Sequence, residues 1–158
     1  MNTVLMVCTG NICRSPMAEA LLQKYWLAEK RSLELAVASA GIYATDGNPA
    51  TPEVQQVLWE EEGIDVSRHR ARQINAEMIR DTDLFLVMTR EHAWYLQKME
   101  PDAAARIRLL KEFAGITGGS LDVPDPYGGG IKIYRRSLQE IREAIMQSIT
   151  ELESLFVS

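Results

Sequence analysis

The chain opens on a continuous apolar run at 3–7, which predicts a strand buried on both faces. A loop at 8–14 follows. Ser15 and Pro16 then predict the cap and first position of a helix reaching about residue 30, with Met17, Leu21 and Ala28 turned inward. A second strand is expected at about 35–38, leading into Ser39-Ala40-Gly41. Thr51-Pro52 opens the next helix by the same capping logic, Gly63 stops it, and Met78 and Ile79 sit on a short one. A third buried strand is expected at 84–88, a helix at about 90–99 and a fourth strand at 107–110. Gly118, Gly119, Pro124, Pro126, Gly128 and Gly129 make 115–130 a loop. The strongest periodicity comes last. Ile131, Tyr134, Leu138, Ile141, Ile145, Ile149, Leu152 and Phe156 recur at spacings of three and four, one apolar stripe on a long helix.

Strands alternating with helices predict an α/β fold in three layers: a four-stranded parallel sheet, helices on both faces, and a phosphate-binding loop after strand one. The 158 residues suit a single domain over 1–158. Crossovers between parallel strands wind right-handedly, and ligands bind beyond the strands' carboxyl ends where the winding reverses. The loops after strands one and four both lie at that edge.

Composition removes several function classes. The net charge is −5 without a basic stripe, so nucleic acid is not an expected partner. The short cluster Arg68-His69-Arg70-Ala71-Arg72 reads as a solvated loop. No run approaches the roughly 20 apolar residues of a membrane span. Met1-Asn2-Thr3 lacks the basic start of a signal peptide, so the cytoplasm is the expected location. Cys8 and Cys13 are the only cysteines, too few for a disulfide scaffold. Taken alone they could equally be small buried residues.

Their neighbours change that. Cys8-Thr9-Gly10-Asn11-Ile12-Cys13-Arg14-Ser15 lies between a buried strand and a helix start. Backbone N–H groups there converge on one point and, with the helix dipole, bind a phosphate dianion. The same field favours a thiolate at Cys8, which can attack phosphorus. Arg14 supplies a planar fork for two phosphate oxygens. Gly10 allows close backbone approach. The motif is not the nucleotide-binding loop, because no Gly-Lys-Ser/Thr follows.

The run 7–20, VCTGNICRSPMAEA, closely resembles the low-molecular-weight protein tyrosine phosphatases. The likeness extends to Ser39-Ala40-Gly41, His69-Arg70-Ala71-Arg72 and Asp125-Pro126-Tyr127-Gly128, and so covers most of the chain. It implies Cys8 as nucleophile, Arg14 as phosphate binder, and Asn11, Ser15, Ser39 and His69 as residues that brace the loop. A phenolate leaving group needs a proton, and Asp125 is the candidate acid, with Asp122 a solvated neighbour. No cofactor or metal is called for. Tyr127, Ile12 and Tyr43 are candidates for the substrate slot, although Tyr43 could equally be a core or edge aromatic. In the family a second loop cysteine implies a reversible disulfide with the nucleophile. For Cys13 that stands beside a plain buried residue.

Neighbouring branches and other classes bear on function. The arsenate reductases need further cysteines, which are absent. The bacterial protein arginine phosphatases resemble the chain around Lys111-Glu112-Phe113 and Gly128-Gly129, but typically carry Thr where Ile12 stands here. An apolar wall favours an aromatic ring over a guanidinium, so phosphotyrosine is the expected substrate and phosphoarginine the alternative. The resemblance suggests a bacterial tyrosine kinase or its targets as partners. A zinc-stabilised binding module built on Cys8, Cys13, His69 and His92 is the remote alternative, with spacing unlike the usual pairs. A cysteine phosphocarrier is another.

Overall fold

The first apolar run becomes an inner strand of the sheet. The computed structural model describes residues 1–29 and 34–156. In it β1 (Asn2–Cys8) lies between β2 (Leu35–Gly41) and β3 (Leu84–Val87), and β4 (Ile107–Leu109) completes the order β2-β1-β3-β4. All pairings are parallel: Val4 aligns with Val37 on one side and Leu84 on the other, and Phe85 aligns with Ile107. The chain leaves β1 toward β2 and later returns to its other flank. The winding therefore reverses at β1, and the loop beyond Cys8 opens at the switch point.

Alternation along the strands sorts the core into two layers. Val4, Met6, Leu84 and Leu86 pack toward α1 (Arg14–Ala28), α2 (Pro52–Glu62) and α6 (Ile131–Phe156). Leu5, Val7, Phe85 and Val87 face α3 (Ala76–Asp81) and α4 (Arg90–Met99), meeting Ile79 and Leu96. This is the three-layer architecture expected. The α6 stripe is buried from Tyr134 to Leu152, with Ile131 and Phe156 packed at its margins.

Local signals placed α2 well. Thr51 Oγ1 accepts the Val54 N–H at 3.3 Å, Pro52 is the first helical residue, and Gly63 ends the helix at φ +66°. Elsewhere tertiary contacts override them. Ser15 does not cap α1: the helix starts at Arg14, its cap position is Cys13, and the Ser15 hydroxyl is used in the loop. Ala28 is exposed rather than inward, and residue 30, the expected helix end, lies outside the described residues. Leu110, expected to end β4, instead starts the short α5 (Leu110–Phe113). A 3₁₀ turn (Pro101–Arg106) precedes β4. The segment 68–72 is not simply solvated, since Ala71 is buried and the Arg72 side chain donates to the Ser39 carbonyl. No helix among the described residues is long and apolar enough to cross a membrane.

β2 runs three residues past its expected end because Ser39, Ala40 and Gly41 stay in register with Met6, Val7 and Cys8. Gly41 then meets the loop directly. A Cβ there would lie 2.5 Å from the Thr9 carbonyl oxygen and 3.0 Å from the Asn11 nitrogen, both backbone atoms. Gly41→Ala should therefore lower stability by about 1–3 kcal/mol in urea denaturation. It should also reduce turnover by displacing the loop. Unchanged kcat in a destabilised Gly41→Ala would show that the loop absorbs the contact.

Candidate active site

The loop 9–13 joins the carboxyl end of β1 to the N-terminus of α1. Its shape is set at Asn11, whose φ of +56° is the only positive value at a non-glycine among the described residues. Asn tolerates that region better than most residues. Its buried side chain is fully engaged. Nδ2 donates to Ser15 Oγ at 2.8 Å and Ser39 Oγ at 2.9 Å, and Oδ1 accepts the Arg72 N–H at 2.9 Å. The Asn11 carbonyl accepts from His69 Nε2 at 2.7 Å. Ser39 in turn donates to Glu19. Asn11, Ser15, Ser39 and His69 thus form one hydrogen-bonded brace.

That brace reaches the sulfur. Ser15 Oγ accepts from Asn11, and it lies 2.9 Å from Cys8 Sγ. Because Ser15 Oγ accepts from Asn11, its O–H is available to the Cys8 sulfur, and a sulfur bearing negative charge can only accept it. Arg14 lies beside them, 4% exposed. Its Nη1 donates to the Val123 carbonyl at 2.9 Å and its Nη2 to Thr9 Oγ1 at 3.3 Å. Nη2 is also 3.7 Å from Asp125 Oδ2. The buried Nε–H has no protein partner. A buried, cationic, partly unsatisfied guanidinium fits an oxyanion ligand.

Cys8, Thr9, Gly10, Ile12, Cys13, Arg14, Asp125 and Tyr127 line one cavity of about 200 Å³. Asp125 is half exposed, and its Oδ1 accepts the Tyr127 N–H at 3.1 Å, which fixes the carboxylate on its loop. That loop is pinned on the N-terminal side of Asp125. Val123 N–H donates to the Met88 carbonyl at 2.9 Å. Lys111 binds Glu140 and the Ser120 carbonyl. Asp122 is no idle neighbour: its Oδ1 accepts the Arg90 N–H at 2.9 Å, away from the cavity. Tyr43 does not line the cavity. It is exposed, its ring stands edge-on to Tyr95 at 5.3 Å, and its N–H donates to the Thr9 carbonyl.

Cys13 lines the cavity beside Cys8, with Tyr134 Oη at 3.5 Å and Thr51 Oγ1 at 3.9 Å from its sulfur. Burial pushes its thiol pKa up, against the two hydroxyls. The zinc set expected as a remote alternative is not assembled. Among the described residues no group of three or more His, Cys, Asp or Glu could hold a metal ion. His69 is committed to Asn11 and His92 to other partners.

His92 is the residue that sequence reasoning used least. It is 2% exposed at the third position of α4. Its Nδ1 accepts the Thr89 N–H at 3.2 Å and its Nε2 lies 2.9 Å from Thr9 Oγ1. Burial, and after it the Arg14 guanidinium, push its pKa down to about 4. Thr89-Arg90-Glu91-His92 was a readable signal, a capping box with His in place of Glu or Gln.

Known proteins share the sequence pattern and the fold. The sequence matches the family profile described as low molecular weight phosphotyrosine protein phosphatase over residues 3–155. It is 35% identical to a protein-arginine-phosphatase of Bacillus subtilis (strain 168), over 95% of this chain and 96% of that protein. It is 34% identical to the probable low molecular weight protein-tyrosine-phosphatase EpsP of Ralstonia nicotianae, over 97% of each. The crystal structure of a low molecular weight protein tyrosine phosphatase from T. tengcongensis superposes with a TM-score of 0.88 at 38% identity, covering 96% of this chain and 99% of that one.

The His92 environment gives a pH prediction. Its folded pKa of about 4 lies below its ordinary value near 6.5. Between those values the unfolded chain binds a proton that the folded chain does not. The His92 contribution is therefore complete above pH 6.5 and is lost as pH falls toward 4, by roughly 3 kcal/mol at 1.36 kcal/mol per pH unit. Urea denaturation of wild type and His92→Gln across pH 4–7 should show a steeper acid loss in wild type. Parallel curves would mean that His92 titrates normally.

Proposed function

The chain belongs to the low molecular weight phosphotyrosine protein phosphatase family, whose members are cysteine-dependent phosphatases, and from that premise we propose that it hydrolyses phosphotyrosine on proteins through a phosphocysteine at Cys8. The observation that carries this reading is the meeting of Cys8, Arg14 and Asp125 on one cavity at the end of the phosphate loop. Cys8 Sγ attacks phosphorus in line with the leaving oxygen. As the S–P bond forms and the P–O bond breaks, Asp125 gives its proton to the phenolate. Arg14 and the loop amides hold the equatorial oxygens and their growing charge. Water then attacks phosphorus, Asp125 takes its proton, and the S–P bond breaks to return the thiolate and release phosphate.

Apolar and aromatic walls suit an aromatic ring: Ile12 and Tyr127 flank the cavity, while Asp125 is its one lining carboxylate and is assigned to the acid's role. Phosphoarginine is the second reading, and the 35% identity to the Bacillus arginine phosphatase speaks for it. A phosphotyrosine-bearing protein, such as a bacterial tyrosine kinase, is the proposed partner. The cytoplasm is the proposed location, since two cysteines are too few for a disulfide scaffold.

Three outcomes test this reading. Cys8→Ser should lose nearly all turnover of para-nitrophenyl phosphate while still binding vanadate, and substantial residual turnover would remove the phosphocysteine. Asp125→Asn should slow phenyl phosphate by about 10²–10⁴-fold and para-nitrophenyl phosphate far less, because only the poorer leaving group needs the proton. The same leaving-group dependence in Asp122→Asn instead would move the acid to that carboxylate. Ile12→Thr should raise phosphoarginine hydrolysis relative to phosphotyrosine, and an unchanged ratio would place selectivity elsewhere.

A further inference from the structure

Thr9 and His92 carry an assignment that the phosphatase chemistry does not use. A backbone N–H can only donate, so the Thr89 N–H at 3.2 Å makes His92 Nδ1 an acceptor. The neutral ring then carries its proton on Nε2 and donates it to Thr9 Oγ1 at 2.9 Å. Arg14 Nη2, also only a donor, reaches the same oxygen at 3.3 Å. A hydroxyl has two lone pairs, and these two donors occupy both. The oxygen is therefore locked as an acceptor for the guanidinium, and its one hydrogen is left at the cavity wall.

We propose that His92 and Thr9 are a positioning pair for Arg14: His92 fixes the Thr9 hydroxyl, and Thr9 fixes the guanidinium in the rotation that turns its unpartnered Nε–H to the phosphoryl group. The proposal rests on the phosphatase reading and adds residues to its machinery. Three contacts hold the fork. The Val123 carbonyl takes Nη1 at 2.9 Å, while Thr9 Oγ1 and Asp125 Oδ2 lie 3.3 Å and 3.7 Å from Nη2. Asp125 is half exposed at 3.7 Å and changes charge during turnover, so it holds the fork weakly. Thr9 is the neutral hold that persists through both chemical steps. A charged imidazole would present N–H groups at both ring nitrogens and lose the Thr89 bond. The ring's burial beside a cation keeps it neutral.

Steady-state kinetics on phenyl phosphate with Thr9→Val, Thr9→Ser, His92→Leu, His92→Gln and the Thr9→Val/His92→Leu double variant test the pair. Thr9→Val should lower kcat by about tenfold, the size of one net hydrogen bond, with KM within about threefold of wild type. Thr9→Ser keeps the oxygen and should lose far less. His92→Leu should match Thr9→Val, and the double variant should be no slower than either single one. Gln can accept from Thr89 and donate to Thr9, so His92→Gln should recover most of the loss.

A lowered melting temperature with unchanged kcat in His92→Leu would make His92 a cap residue only and overturn the proposal. Additive losses in the double variant would overturn it too. Should His92→Leu fail to fold, Thr9→Val against Thr9→Ser decides, since neither touches the α4 cap, and equal kcat values there overturn it. The phosphatase reading fails separately, on an active Cys8→Ser.

Discussion

Asn11 turns the chain through a left-handed residue and uses every hydrogen-bonding group of its side chain to stay there. The loop has to wrap tightly enough for successive N–H groups to face one point, and such backbone is costly without support. The support comes from far along the chain. Ser39 lies near the carboxyl end of β2, while His69 and Arg72 belong to the segment between α2 and α3. Each bond from Asn11 ties the loop to an element the fold has already placed. Gly41 adds a steric limit, because any side chain there would meet loop backbone. The loop's shape is thus a consequence of the sheet's order: β2 and the segment after α2 must both reach β1's carboxyl end.

Charge sets the second constraint. Arg14 is buried, and a buried cation is tolerable only with acceptors or an anion nearby. The Val123 carbonyl, the Thr9 hydroxyl and the Asp125 carboxylate supply part of that, and the unpartnered Nε marks what is left for a ligand. The same guanidinium disfavours a second positive charge close by, which is one reason His92 stays neutral. Ser15 brings an O–H rather than a cation to the sulfur. The site therefore concentrates positive potential in one fork, with the Ser15 hydroxyl and the neutral His92 rather than further cations nearby.

What could be read from the chain followed the range of each signal. Apolar runs gave the strands, and three-four periodicity gave α6, because both patterns are local. Thr51, Pro52 and Gly63 marked α2 for the same reason. Ser15 misled because its capping signal is local while its hydroxyl answers to Asn11 and Cys8. The loop's internal spacing, with the family resemblance, made Cys8, Arg14 and the bracing residues legible. Thr9 and His92 lie 83 residues apart, and no pattern in either neighbourhood links them. Asp122 looked idle because its partner is a backbone N–H of α4. Tyr43 looked like a slot residue, yet its backbone is tied to the loop while its ring turns to Tyr95.

These obligations also say where substrate choice can reside. Around the cavity, Cys8 and Arg14 are the proposed nucleophile and phosphate binder, and Thr9 is held by His92 and Arg14. Asn11 and Ser15 beneath it have their side-chain donors committed to the brace and the sulfur. A substitution at any of these disturbs the loop before it changes preference. Ile12 is different. Its carbonyl accepts the Thr51 N–H, but its side chain carries no polar duty and only packs at the core's margin. Tyr127 is exposed, and only its backbone is tied, to Asp125. Selectivity can therefore vary at the wall positions while the phosphate grip stays constant. That separation leaves Ile12 and Tyr127 as the wall positions where leaving groups as different as a phenol and a guanidinium can be told apart, and at Ile12 the wall is an apolar side chain.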